Sequence, residues 1–249
     1  MLDYLKDIIS PPVRDHRIFF FHIAKCGGTS IANAIVKSFK PWRAGNCGTV
    51  VVLDENAARF AERHSVHGYR LCRRDLLNYT MSLPEIKCIS GHFQYSNAAH
   101  DAYRDQWSFV TMLREPVSRW LSHYRWDSTL GKINMPLEEF VNTQRAISFG
   151  RSFVDEVTED LEKSSLDIET LGNIALERYR GFSLVGTIED TPGFARRFEE
   201  IFGGRLDIKH LNKTPKNSFA KEICDKAMQR IVEICEPDTR LYNRLIGNK

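Results

Sequence analysis

The sequence predicts an α/β fold in three layers, a central and mainly parallel sheet flanked by helices. Three observations predict it. Short apolar runs at residues 18–23, 85–90, 107–113 and 183–187 have the length and composition of strands covered on both faces. Segments of helical character at 29–39, 56–84, 116–124 and 192–202 follow or separate them, as crossovers between parallel strands require. A chain of 249 residues with 42% hydrophobic content can fill one large core, so residues 1–249 are read as a single domain.

Residues 1–16 read as a short packing arm ended by Pro11 and Pro12. The first strand then runs into Gly27 and Gly28, which allow a tight turn, and Thr29 and Ser30 are good capping residues for the helix that follows. Ile31, Ala34, Ile35 and Phe39 give that helix its apolar stripe. Exposed N–H groups at such a helix start hold phosphate or sulfate, and Lys25 adds a full positive charge at the same spot. This makes the first unit P-loop-like.

Residues 49–53 form a second apolar run that ends in Asp54-Glu55. The helical stretch 56–84 carries Arg59, Arg63, Arg70, Arg73 and Arg74 with His64 and His67, which suits a solvated face or an acceptor-binding one. Gly91-His92-Phe93 lies at the exit of strand 85–90. Strand 107–113 turns through Arg114-Glu115-Pro116 into a helix with proline in its first turn. Val117, Trp120, Leu121 and Tyr124 share the core face of that helix, and Ser118, Ser122 and Arg125 the opposite one. Residues 128–181 break into short helical pieces, read as a helical insertion or an acceptor-binding lid. A strand at 183–187 and a helix at 192–202 closed by Gly203-Gly204 follow, then an edge strand at 207–211. A final helix buries Ile223, Ala227, Ile231, Ile234 and Cys235.

A net charge of +3 is too small to mark the whole chain as a polyanion binder, so a preference for anions must come from local clusters. The six cysteines form no CxxC pair and no zinc spacing, which suits free thiols in a reducing compartment, and no metal is expected. Charges interrupt the apolar residues of the N-terminus, and no run reaches membrane-spanning length. The expected location is cytoplasmic. No reader motif accompanies the basic residues, so a nucleic-acid partner is not expected.

Ligands of a parallel sheet bind at the C-terminal ends of its strands, and Lys25, His92 and Arg114 all fall at such ends. Among the histidines, His92 is the candidate general base, because a neutral imidazole near pH 7 can take a proton from an acceptor. His22 is a rival, but the alternation through 18–23 predicts a satisfied core histidine, and His123 reads as a helix-face residue.

Four segments, His22-Ile-Ala-Lys-Cys-Gly-Gly-Thr-Ser, Ser90-Gly-His-Phe, Leu113-Arg-Glu-Pro-Val-Ser-Arg-Trp-Leu-Ser-His-Tyr and Leu211-Asn-Lys-Thr, resemble sulfotransferases that use 3′-phosphoadenosine 5′-phosphosulfate (PAPS). The resemblance is to the carbohydrate branch that includes the heparan sulfate 2-O-sulfotransferases. It runs over about 17–124 and resumes near 183–245. It implies that Lys25, Cys26, Gly27, Gly28, Thr29 and Ser30 hold the 5′-phosphosulfate, through the side chain of Lys25 and the backbone of the loop. Arg114 and Ser122 would hold the 3′-phosphate, Lys213 and Thr214 would close over the nucleotide, and a glycan or glycolipid would be the acceptor.

Ala24 and Cys26 stand where that family usually has proline and threonine. Beside Lys25 and a helix start, the Cys26 thiol is expected to be activated, while burial would oppose this. Two other readings stay open. A kinase or NTPase needs its lysine after the glycines, whereas here it precedes them, although Val50-Val-Val-Leu-Asp-Glu weakly resembles a metal-binding strand. A nucleotide-binding regulatory protein would keep the pocket without turnover.

Overall fold

The computed structural model describes residues 13, 16–39, 50–64, 69–162, 165–208 and 223–247. Strands β1 (Ile18–Phe21), β2 (Val50–Val52), β3 (Cys88–Gly91), β4 (Ser108–Leu113) and β5 (Leu184–Thr187) form one sheet in the order β2-β3-β1-β4-β5. Every pairing between them is parallel. The helices are α1 (Gly28–Phe39), α2 (Glu55–Arg63), α3 (Tyr69–Ser82), α4 (Asn97–Tyr103), α5 (Pro116–Thr129), α6 (Leu137–Phe140), α7 (Gln144–Gly150), α8 (Ser152–Val157), α9 (Ile168–Arg180), α10 (Thr191–Phe202), α11 (Asp225–Ile234) and α12 (Glu236–Ile246). None of the helices among the described residues is long and apolar enough to cross a membrane.

β1 is buried along its whole length because it sits mid-sheet with a layer on each side. Its alternation sends Ile18 and Phe20 to one face, where they meet Ile31 and Ile35 of α1 and Phe194 and Phe198 of α10. Phe19 and Phe21 go to the other, against Phe153 and Val154 of α8, Leu176 and Tyr179 of α9, and Leu241 of α12. The three-layer α/β architecture is therefore present. Much of the second layer comes from α8 and α9, within the 128–181 stretch. A third apolar cluster joins Trp120 and Tyr124 of α5 to Phe149 of α7 and Ile231 and Ile234 of α11.

Two elements differ from expectation. Asp207 and Ile208 are not in a strand, and the rest of the anticipated edge strand lies outside the described residues. After Cys235 the chain turns into a further helix, α12, which the sequence reading did not separate. That helix carries Asp238, a fully buried carboxylate that accepts hydrogen bonds from the backbone N–H groups of Phe153 (3.0 Å) and Val154 (3.1 Å) at the start of α8. Arg119 of α5 is 1% exposed and donates through Nη2 to the carbonyl of Phe149. Burial pushes the Asp238 carboxyl up to about 7, and Arg119 draws it the other way.

Removing one partner from such a buried group leaves the others uncompensated. Asp238→Ala should therefore destabilise the protein by about 3–5 kcal/mol in urea unfolding. Asp238→Asn, which keeps an acceptor oxygen, should lose less. Equal midpoints for wild type and Asp238→Ala would show that the carboxylate does not hold these helices.

Candidate functional site

β1 lies between β3 and β4, with Phe21 in register with Gly91 on one side and Thr111 on the other. The three strands end side by side, so their exits carry Lys25, His92 and Arg114 to one place. All three line a cleft of roughly 1010 Å³. Gly27, Gly28, Thr29, Ser30 and Ser122 line it as well. Ser118 and Arg125 do not. Lys213 and Thr214 lie outside the described residues.

The loop after β1 is shaped by close approaches. Lys25 takes a left-handed backbone (φ 68°), a conformation that a residue with a side chain adopts only when its surroundings impose it. Gly27 is also left-handed (φ 70°), and a Cβ there would come within 2.6 Å of Cδ1 of Ile188. At Gly28 a Cβ would stand 2.0 Å from Cδ2 of His22. The left-handed backbone at Gly27 and the His22 ring against Gly28 favour glycine at both positions, and the turn delivers the start of α1 to the cleft. Arg114 Nη1 donates to the carbonyl of Lys25 (3.4 Å), tying the end of β4 to the loop.

Lys25 Nζ lies over the indole of Trp126, 4.3 Å from the ring centroid. Burial lowers its pKa, the positive Arg114 adds to that, and Asp127 opposes it. Trp126 is 51% exposed and faces the cleft from α5, one turn beyond Ser122. The same helix end carries Asp127, which is buried and paired to Arg145 Nη2 at 2.6 Å.

Cys26 departs from expectation. Its side chain is fully buried in the core cluster of the α8–α9 layer and does not line the cleft. Burial pushes its thiol up to about 12 despite the pull of Arg119 and Arg114, so the activated thiolate is overturned. Any contribution of Cys26 to an anion site comes from its backbone.

Three histidines line the cleft. His92 Nδ1 is 2.9 Å from the carbonyl of His22. A carbonyl only accepts, so Nδ1 carries the proton and the lone pair of neutral His92 sits on Nε2. Arg73 of α3 donates through Nη1 to the carbonyl of His92 and through Nη2 to Oε1 of Gln94 (3.3 Å). An arginine within the stretch read as either a solvated or an acceptor-binding face thus anchors the candidate base. His22 is not a core residue: β1 ends at Phe21, and the His22 ring stacks on His92 with centroids 4.3 Å apart and planes 23° from parallel. His123 stacks on Phe149 at 3.8 Å and 3°.

Neutrality is enforced on two of these rings. Burial lowers His22 to about 3, with His92 adding to the shift. Burial also lowers His123 to about 3, reinforced first by Arg119 and then by Lys25, Arg145 and Lys132. Trp126 carries no sequence signal beyond its one-turn spacing from Ser122, whereas His123, read as a helix-face residue, lines the cleft. Among the described residues no group of three or more His, Cys, Asp or Glu side chains is placed to hold a metal ion.

The model of the sulfotransferase family matches residues 13–153. Comparison with curated proteins finds no match. Among solved structures, the chain is similar to a sulfotransferase from Alicyclobacillus acidocaldarius, with a TM-score of 0.47 and 14% identity over 94% of this chain and 97% of that one. It is also similar to mouse sulfotransferase SULT7A1 complexed with PAP, with a TM-score of 0.37 and 12% identity over 90% of this chain and 84% of that one.

The buried neutral imidazoles make stability depend on acid. In the unfolded chain a histidine titrates near 6.5, so the unfolded state gains protons that His22 and His123 refuse until about 3. Stability present above pH 6.5 is lost as pH falls, by about 2 kcal/mol per histidine at pH 5. His123→Phe, which keeps a ring on Phe149, should lose about 2 kcal/mol less than wild type between pH 7 and pH 5 in urea unfolding. Identical losses would show that His123 is not held neutral.

Proposed function

The chain belongs to the sulfotransferase family, and from that premise we propose that it moves the sulfuryl group of PAPS to a hydroxyl, or second to an amine, of a carbohydrate or glycoconjugate. The carrying observation is the convergence of Lys25, Arg114, Ser122 and His92 on one cleft beside the start of α1.

The residues fit such a donor on chemical grounds. The backbone from Cys26 to Ser30 would hold the 5′-phosphosulfate at the positive end of α1, with the Ser30 N–H already shared with the Gly27 carbonyl. Lys25 faces the same point and stabilises the charge that gathers on the departing phosphate. Arg114 and Ser122 take the 3′-phosphate, one as a charge-assisted donor and the other through its hydroxyl. Lys213 and Thr214 complete the donor set from the sequence side.

PAPS supplies an activated sulfuryl group; what remains for the chain is position and proton removal. His92 Nε2, with Nδ1 fixed on the His22 carbonyl, accepts the proton of the attacking hydroxyl. A cleft of roughly 1010 Å³ has room for nucleotide and acceptor together. Lys132 on the same cleft favours an acceptor with acidic groups.

The reading is tested first by binding. The product 3′-phosphoadenosine 5′-phosphate should raise the melting temperature without magnesium, worth about 2.7 kcal/mol at a hundred times its dissociation constant, and AMP should do so far less. Equal shifts would remove the 3′-phosphate pocket. In transfer of labelled sulfate from PAPS to a glycan panel, His92→Ala should lose roughly two to four decades of rate with the product nucleotide still bound. Near-normal turnover in that variant would assign the base elsewhere.

A further inference from the structure

The His22 side chain is unexplained by the donor and base roles, yet its position is the most constrained in the cleft. On one side it lies against the loop, where an added Cβ on Gly28 would be 2.0 Å from its Cδ2 and 2.2 Å from its Nε2. On the other it covers the face of His92 at a centroid distance of 4.3 Å. Its own carbonyl receives the Nδ1–H of that same ring. One residue therefore touches the phosphate loop, the face of the candidate base and the candidate base's inner nitrogen.

We infer that His22 is a positioning residue, a spacer whose imidazole sets the distance between the phosphate loop and His92 and keeps the His92 ring turned so that Nδ1–H meets the His22 carbonyl and Nε2 faces the cleft. This rests on His92 being the base. Without the His22 ring, the face of His92 lies open and its χ angles are free to turn, and the two ring nitrogens lose their distinct roles. With it, the ring is pinned between one neighbour's carbonyl and that neighbour's own aromatic plane.

The spacer has to be uncharged to do this. A cationic His22 beside a base that itself becomes cationic on taking a proton would oppose the transfer, and burial keeps the ring neutral. The role differs from that of a second base. A spacer acts through shape, so a ring without titrating nitrogens serves in its place; a base does not survive that exchange.

The test uses the full chain, with His22→Ala and His22→Phe compared in three measurements. In turnover with PAPS, His22→Ala should lose roughly ten- to a hundredfold in kcat, the scale of a misplaced catalytic group. Its affinity for the product nucleotide should stay within about twofold, since the loop's N–H groups and Lys25 remain. His22→Phe should recover most of the lost kcat. Nitrogen NMR of histidine-labelled protein should show His92 as the single Nδ1–H tautomer in wild type and a mixture of tautomers in His22→Ala. A single Nδ1–H tautomer with normal kcat in His22→Ala would overturn the spacer, as would a His22→Phe variant that keeps that tautomer and binds nucleotide but turns over no faster than His22→Ala. Should wild type transfer no sulfate at all, the proposed function fails while the tautomer measurement still decides whether His22 orients His92.

Discussion

The buried carboxylate of Asp238 is the contact on which the walls of the cleft depend. It receives the N–H groups of Phe153 and Val154 at the start of α8, which a helix start leaves without partners. α8 covers one face of the sheet, and Arg119 belongs to the helix that presents Ser122, His123 and Trp126. Arg119 donates to the carbonyl of Phe149 just before α8, which ties α5 to the same neighbourhood. A second tie supports it: Glu189 accepts from the backbone N–H of Glu115 (2.9 Å) and from the hydroxyl of Tyr242 (3.0 Å), while Glu115 caps α5. The first tie joins α12 to the start of α8 and the second joins α12 to the start of α5.

Within these walls the electrostatics divide cleanly. Positive charge collects on Lys25 and Arg114 at the strand ends, and buried Asp127 of the same cleft is matched to Arg145. Burial keeps His123 uncharged, reinforced by Arg119 and then by Lys25. Burial does most of this for His22, where the loop and the neighbouring ring exclude solvent. The candidate site thus combines fixed cations with neutral imidazoles. That combination suits binding of an anion.

The parts that were legible in the sequence are those written in local pattern. The strand, glycine turn and helix of the first unit are contiguous, and the convergence of Lys25, His92 and Arg114 follows from the rule that parallel strands open at one end. His22 was misplaced because an alternating apolar run was extended past Phe21, where the strand ends and the chain turns toward the cleft. Cys26 was misjudged because its neighbours in sequence are cationic, whereas the left-handed turn at Lys25 sends the thiol into the core. Arg73 and Asp238 act on residues far away in the chain, His92 and Phe153, and composition carries no trace of such pairings.

The parallel order of the sheet bears on how the protein comes to exist. Parallel neighbours cannot be joined by a hairpin, and β1 precedes both of its partners, β3 and β4, with helices between. During synthesis Phe19 and Phe21 are made before α8, α9 and α12, the helices that cover their face. They remain a sticky aromatic segment until the rest of the sheet is made. The first turn of α8 waits longer still, for Asp238. Closure of that face waits on contacts far along the chain, and such non-local pairing forms slowly and is exposed to aggregation meanwhile.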